Sequence, residues 1–511
     1  MKTNFSFLLI LVICLFTATN SSTAQDLNPR TTLIPVADLQ EDLATFKENL
    51  ELIHAGLYTF TPKEKMDARF AEISAEITAP MTSQDFYRKL ITLNTDIRNG
   101  HTNIIPHEAF GSTEKLLPLE VYWDEEKLYI LRNNSNDPSL SPGTRIDSIN
   151  GEAAATVFYE LADLFPRDGY NTSFPEAITY RAFNEFYISF KAIPDVYDLV
   201  VTSSGGAARN IHLPAMEQDT YYANRTARYG DIHYYWEKGL GDPMTLAIEG
   251  NTATITIKTC GKTELTKFGN SIGKQVDRYF EAIEAAGVEH LIIDIRSNGG
   301  GSQEISVALL RHLSPEPFEL FADNYLIVNK IPNRKLYNSN TFFLNLMGGI
   351  GLKKGEDGNY RNRKVIDWVY NTKTHTQPIA PAATQFKGQV YCIGDGYSFS
   401  AAGQMASWLK TYTNCLFVGE EIGGAETTLT AGEYVELELP NSGVRAILPV
   451  VFEELHNPRG QTGHGVQPDF PIRNSIQDLI NGHDAIMEFT IQHIAGADQT
   501  NKEAGVAKID R

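Results

Sequence analysis

The chain has 511 residues, 42% hydrophobic and 21% charged, which is enough apolar material for several buried cores. Its 63 acidic against 44 basic residues give a formal net charge of -19. That balance excludes nucleic acid and anionic membrane surfaces as main partners, because neither attracts an acidic protein.

The N-terminus carries Lys2, then an apolar run from Phe5 to Phe16 broken only by Ser6, then Ser22-Thr23-Ala24 before Gln25. This pattern predicts a signal peptide over residues 1–24, cut after Ala24. The run is too short for a permanent anchor, and no later segment is apolar enough to span a membrane. The expectation is an exported chain, periplasmic or secreted, with no integral membrane segment after signal removal. Cys14 leaves with the signal, and Cys260, Cys392 and Cys415 have no zinc spacing. They are expected as buried free thiols, with one disulfide open to them in an oxidising compartment.

An N-terminal helical domain is predicted over 33–110. Leu39, Leu43, Phe46, Leu50 and Ile53 recur at helical spacing. A second helix is expected after an N-cap at Ser83, carrying Phe86, Leu90, Leu93 and Ile97 on one face. It is expected to end at Asn99-Gly100, which puts His101 on the loop leaving it. Residues 115–215 read as β-rich, with Val121-Tyr122-Trp123 and Lys127 to Leu131 flanking an acidic turn like a hairpin. From 230 to 495 strands and helices alternate, the pattern of an α/β domain with a largely parallel sheet. Thr252 to Ile257 and His290 to Ile295 are strands; Phe268, Ile272, Val276 and Ile283 suggest a helix, and another follows through Ile305, Leu309 and Leu313. Gln389 to Ile393 is a strand, with a helix from about Ser400 to Lys410. The polar stretch 329–386 is a possible lid or insertion.

Ser400 follows a strand and the turn Gly394-Asp395-Gly396-Tyr397, and it opens a helix. A helix N-terminus offers unpaired N–H groups and a positive dipole end, which stabilise an alkoxide or an oxyanion. The ordinary alternative is a serine N-cap. Asn298-Gly299-Gly300-Gly301 after a buried strand makes a tight turn whose amides can face an anion, yet it lacks the lysine and spacing of a phosphate loop. A nucleophilic serine needs a base, and His101 is the candidate because imidazole titrates near neutrality. The chain holds no His-Glu-x-x-His pattern, so no metal and no cofactor are expected.

Taken together, these segments resemble the C-terminal processing (tail-specific) serine peptidases. Asp294-Ile295-Arg296-Ser297-Asn298-Gly299-Gly300-Gly301 is similar to their glycine signature, and Ser400-Ala401-Ala402-Gly403 to their nucleophile motif, with Gly403 in place of a glutamate. Val418-Gly419-Glu420 resembles the strand that follows. Asn99-Gly100-His101-Thr102, Leu439-Pro440-Asn441-Ser442-Gly443 and Gly465-Val466-Gln467-Pro468-Asp469 resemble the histidine-using branch, which includes tricorn core proteases and interphotoreceptor retinoid-binding proteins. Pro142 to Gly151 resembles a strand-and-turn motif of PDZ domains. The resemblance implies a crotonase/ClpP-like α/β peptidase core with an N-terminal helical domain and a PDZ-like β-rich domain.

It further implies Ser400 as nucleophile and His101 as base, with an oxyanion hole from Ala401 and one N–H among Gly299, Gly300 and Gly301. The lysine of the serine–lysine branch is absent after Ile422-Gly423-Gly424. Gly100 stands where tricorn-like relatives have serine, and Thr462, beside Gln461, where they have the glutamate that orients the histidine. Thr462, Gln461 and Glu420 are kept as possible orienting or cleft residues, with Glu453 and Glu454 as further acids. The expected function is a serine endopeptidase acting on unfolded or extended polypeptides. The alternative is a weak or inactive peptide- or apolar-ligand-binding protein on the same fold. Nothing in the sequence specifies an oligomeric state.

Overall fold

The computed structural model describes residues 27–509 except 108–114, 192–193, 231–233, 238–240, 268–270, 338–344, 346–347, 350 and 363–377. The expected signal peptide, Phe268 and much of the expected 329–386 insertion lie outside the described residues.

The sheet that carries the site has six strands in the order Met244–Glu249, Thr252–Ile257, His290–Asp294, Gln389–Gly394, Leu416–Gly419 and Phe470–Pro471. Its first pair is antiparallel and the rest are parallel. All five residues of His290–Asp294 are buried, as expected of a strand covered on both faces. Alternation then sorts its side chains. Leu291 and Ile293 join the core made with helices Ile272–Ala285, Glu304–Leu313 and Ala401–Tyr412. Ile292 points the other way and packs with Tyr391, Ile393, Val418, Ile486 and Ile494. In such a sheet the loops leaving the carboxyl ends of adjacent strands share one rim, which is where sites form. The glycine turn after His290–Asp294 and the Ser400 turn after Gln389–Gly394 are therefore neighbours by topology.

A second sheet is built on a long antiparallel hairpin, Thr428–Glu438 with Arg445–Leu455. Asn103–Ile105 and Phe321–Tyr325 pair with the other edge of Arg445–Leu455. The N-terminal helices bury Leu39, Leu43, Phe46 and Leu50 against Val435, Leu437, Leu448 and Val450 of this hairpin, so the helical segment shares its core with residues far along the chain. The hairpin turn is fastened by buried Asp42, which accepts from the Ser442 N–H at 2.7 Å and the Asn441 N–H at 3.1 Å. The Leu439 to Gly443 motif thus positions the strand next to His101.

The second helix differs from expectation at both ends. Thr82 is the N-cap, accepting from the Asp85 N–H at 3.1 Å, while the Ser83 hydroxyl is taken by Ser442 O at 2.7 Å. The helix Ser83–Leu90 passes through a 3-10 turn, Ile91–Leu93, into Asn94–Ile97 and stops at Arg98, which adopts φ 52°. Gly100 is not the terminator.

The β-rich segment forms an antiparallel sheet of Leu119–Asp124, Lys127–Asn133, Arg145–Ile149, Val196–Thr202 and Arg209–Pro214. Helices Ala154–Asp163, Ser173–Arg181 and Phe183–Phe190 close its core, where Trp123 stacks on Phe158 at 3.9 Å. The loop between Ala154–Asp163 and Ser173–Arg181 leaves this unit and runs to the peptidase rim. Cys260, Cys392 and Cys415 are free and buried. Among the described residues no helix is long and apolar enough to cross a membrane.

Candidate active site

Ser400 joins the strand Gln389–Gly394 to the helix Ala401–Tyr412 with φ 55° and ψ -126°. A side chain is rarely held in that region; it costs on the order of 1–3 kcal/mol and exposes a serine hydroxyl at the rim of a sheet. The turn is braced from beneath. Phe399 N–H donates to Asn298 O at 2.9 Å, and the Ser398 hydroxyl donates to Ile295 O at 2.8 Å. Buried Asp395 accepts from the Ser297 N–H at 3.0 Å and pairs with Arg181 at 2.9 Å. Ser400 fills the N-cap position, yet its side chain makes no capping bond. Its Oγ lies 3.0 Å from His101 Nε2.

His101 is 4% exposed. Asn99 organises its loop: Asn99 Oδ1 accepts from the His101 N–H at 3.2 Å and from the Thr102 hydroxyl at 2.8 Å, and its amide donates to Thr430 O at 3.0 Å. Because the Thr102 hydroxyl donates to Asn99, it accepts from His54 Nε2 at 2.9 Å. The imidazole lies between aromatic rings, 4.6 Å from Phe399 and 6.1 Å from Tyr434, with planes 29° and 30° apart. Burial, and then the neighbouring His54, push the His101 pKa down to about 3, so the ring is neutral at neutral pH. For Nε2 to accept the serine proton, Nδ1 must carry its own hydrogen. Nδ1 is buried and has no hydrogen-bond partner among the described residues.

Gly300 packs against the nucleophile: a Cβ there would lie 2.6 Å from Ser400 Cβ and 2.9 Å from Ala401 N, and its φ of 104° suits glycine. Its N–H donates to Asn298 Oδ1 at 2.9 Å, which removes it from the expected oxyanion donors. The N–H groups of Ala401, Gly299 and Gly301 have no acceptor among the described residues.

The expected orienting residues are not brought to His101. Gln461 and Thr462 are exposed on a loop. Glu420 faces away, accepting from the Gly396 N–H at 3.3 Å and pairing with Arg473 at 3.3 Å. Glu454 is exposed. Buried Glu453 accepts from Gln404 Nε2 at 2.8 Å, and burial raises its pKa to about 7. The residue missed in the sequence is Asp168, which is 1% exposed and bonded to the Gly100 N–H at 2.7 Å. Asp168-Gly169 reads as an ordinary surface turn, so no local signal marked it. Among the described residues no cluster of three His, Cys, Asp or Glu could hold a metal ion.

A strained serine at a helix start, an imidazole in contact with it and free amides beside it define a serine-type hydrolase site. Residues 259–472 match the family model described as Peptidase family S41. That segment, somewhat under half of the chain, is similar to the S41, C-terminal processing peptidases, and the chain is a serine-type peptidase. Its fold is similar to that of mature CPAF, with 15% identity over 87% of this chain and 94% of that chain and a TM-score of 0.58. The likeness to mature CPAF complexed with lactacystin covers 89% and 97%, at 14% identity and a TM-score of 0.61. The photosystem II D1 C-terminal processing protease aligns over 86% of this chain and 94% of that chain, at 12% identity and a TM-score of 0.37. No curated protein matches the chain.

Proposed function

We propose that this chain is an exported serine endopeptidase of the histidine-using type, hydrolysing unfolded or extended polypeptides with Ser400 as nucleophile and His101 as base. The observation that carries the reading is the 3.0 Å contact between His101 Nε2 and an Oγ held on a strained turn and not used as a cap. Oγ bonds to the substrate carbonyl carbon while its proton passes to Nε2. The carbonyl oxygen takes the negative charge beside the Ala401 N–H and the N–H of Gly299 or Gly301. The Nε2 proton then goes to the leaving amine as the C–N bond breaks. Water, deprotonated by the same imidazole, releases the acyl group. An extended substrate suits a site on a sheet rim, where it binds as an added strand. The signal-like N-terminus supports export to the periplasm or beyond.

One observation favours a second reading, a weak or inactive binding protein. Among the described residues, buried Nδ1 has no carboxylate partner to meet the charge that forms on His101. In a triad protease, neutralising that acid lowers kcat about 10,000-fold. The deciding experiment is labelling of the purified mature chain with a fluorophosphonate probe, mapped by mass, with Ser400→Ala and His101→Ala as controls. An adduct on Ser400 that His101→Ala slows strongly is expected. A folded protein with no adduct would move the reading to binding.

A further inference from the structure

Asp168 comes from the β-rich unit, yet both of its oxygens are used at the peptidase rim. Oδ1 accepts from the Gly100 N–H at 2.7 Å and Oδ2 from the Ala425 N–H at 3.3 Å. Gly100 precedes the base. Ala425 closes Gly423-Gly424-Ala425, where a Cβ on Gly424 would lie 3.3 Å from Ser400 N, so this turn backs the nucleophile. The same loop is tied on three more sides. Gly169 N–H donates to Arg98 O at 2.9 Å, Tyr170 N–H to Gly463 O at 2.7 Å, and Asn171 Nδ2 to Ile422 O at 3.0 Å.

We propose that Asp168 is a positioning residue of the peptidase site: its carboxylate spans the base-carrying loop and the turn behind Ser400, and so sets the His101–Ser400 distance. This rests on the reading of Ser400 and His101 as the reacting pair. A carboxylate can accept from both amides at once. Once protonated, one oxygen becomes a donor, and one of the two amides loses its acceptor. Burial raises the Asp168 pKa to about 6, and only these two backbone bonds oppose it. The charged and titratable groups around it are Arg98 and His101 on the base loop, Tyr434 on the hairpin, and Glu426 and His464 beyond Ala425. Arg98 lines a small cavity with Asp168 but spends its guanidinium on Gly169 O at 3.2 Å and on the Tyr170 ring at 4.8 Å. The span is therefore complete above the Asp168 range and opens as pH falls through it.

The test follows the rate of Ser400 modification by a fluorophosphonate against pH, in the full mature chain and in Asp168→Asn and Glu453→Gln. If wild type is not modified at all, the reading of Ser400 and His101 fails, and this inference falls with it. With wild type modified, Asp168→Asn is expected to react on the order of 10- to 100-fold more slowly, the loss typical of a reacting group displaced by about 1 Å. Wild type is expected to lose rate below about pH 6. That acid limb should vanish in Asp168→Asn and persist in Glu453→Gln. Reaction of Asp168→Asn within threefold of wild type with its acid limb intact overturns the proposal. Should Asp168→Asn not fold, the native chain decides: a rate flat from pH 8 to 5 overturns it, and an acid limb that survives Glu453→Gln upholds it.

Discussion

The Phe399 ring fills the space beside Gly100: a Cβ on Gly100 would come within 2.6 Å of Phe399 Cζ and 2.8 Å of its Cε2. That same ring stacks on the base, with its centroid 4.6 Å from that of His101. Phe399 also stacks on Phe174 at 4.0 Å, so the ring is held on two sides and does not yield. Gly100→Ser should destabilise the fold by about 1–3 kcal/mol, the usual range for overpacking a core. It should also slow Ser400 labelling, because His101 is the next residue. Urea unfolding and labelling of Gly100→Ser, Phe399→Ala and the pair check this. Coupling is expected, with the double variant less destabilised than the sum of the singles. Strict additivity would mean that the two positions do not compete for the same space.

Much of the site was legible before its geometry was known. Ser400, His101 and the glycine turn each lie in a compact segment with its own punctuation: a strand end, a turn, a helix start. The parallel sheet then makes two of them neighbours. What was not legible is what arrives from elsewhere. Asp168 crosses from another unit, and Phe399 and Tyr434 enclose the imidazole from two different segments. Partners of that kind form in three dimensions and leave no spacing to read. Gly300 was missed as a spent donor for a related reason, since its partner, Asn298 Oδ1, depends on a side-chain rotamer. The Ser83 cap was displaced because the Leu439 to Gly443 turn takes its hydroxyl.

Acid should destabilise this protein through buried His54 and His101. Burial lowers His54 to about 4 and His101 to about 3, from an ordinary 6.5. Between those values and 6.5 the unfolded chain binds protons that the folded chain refuses, so stability is lost as pH falls through that window. Across the full shift this is worth on the order of 3 kcal/mol for His54 and on the order of 5 kcal/mol for His101, by the free energy of a pKa displacement. Unfolding free energy of wild type, His101→Asn and His54→Asn should be measured between pH 7.5 and 4. Both variants should show a shallower decline. A slope unchanged in His101→Asn would mean the ring takes up protons in the folded state.

The Asp42 clasp makes a separate prediction for the base loop. Asp42→Ala leaves two hairpin-turn N–H groups, that of buried Ser442 and that of half-buried Asn441, without their acceptor. An unsatisfied buried donor costs about 1–3 kcal/mol, and the Ser442 N–H becomes one. The hairpin strand Arg445–Leu455 pairs with Asn103–Ile105 directly after His101, so loosening it reaches the site. Asp42→Ala is expected to lower the unfolding midpoint and raise amide exchange in Asn103–Ile105, with slower labelling of Ser400. Retained protection of that strand would separate the clasp from the site.

Glu453 offers the opposite pH signature from the histidines. Its carboxyl is 4% exposed, and burial raises its pKa from 4.5 to about 7. The folded chain therefore holds this proton more tightly than the unfolded one. The stability it brings is complete below about pH 4.5 and lost as pH rises through about 7. At pH 8 a buried carboxylate must sit beside Gln404, its donor at 2.8 Å, with no cation bonded to it among the described residues. Glu453→Gln removes that ionisation and keeps an amide oxygen to accept from Gln404. The variant should gain on the order of 1–3 kcal/mol over wild type between pH 5 and pH 8, since a shift of this size is worth about 3 kcal/mol at most. Urea unfolding of both chains at the two pH values reads that difference directly. Parallel curves would mean that Glu453 is already ionised in the fold at pH 5.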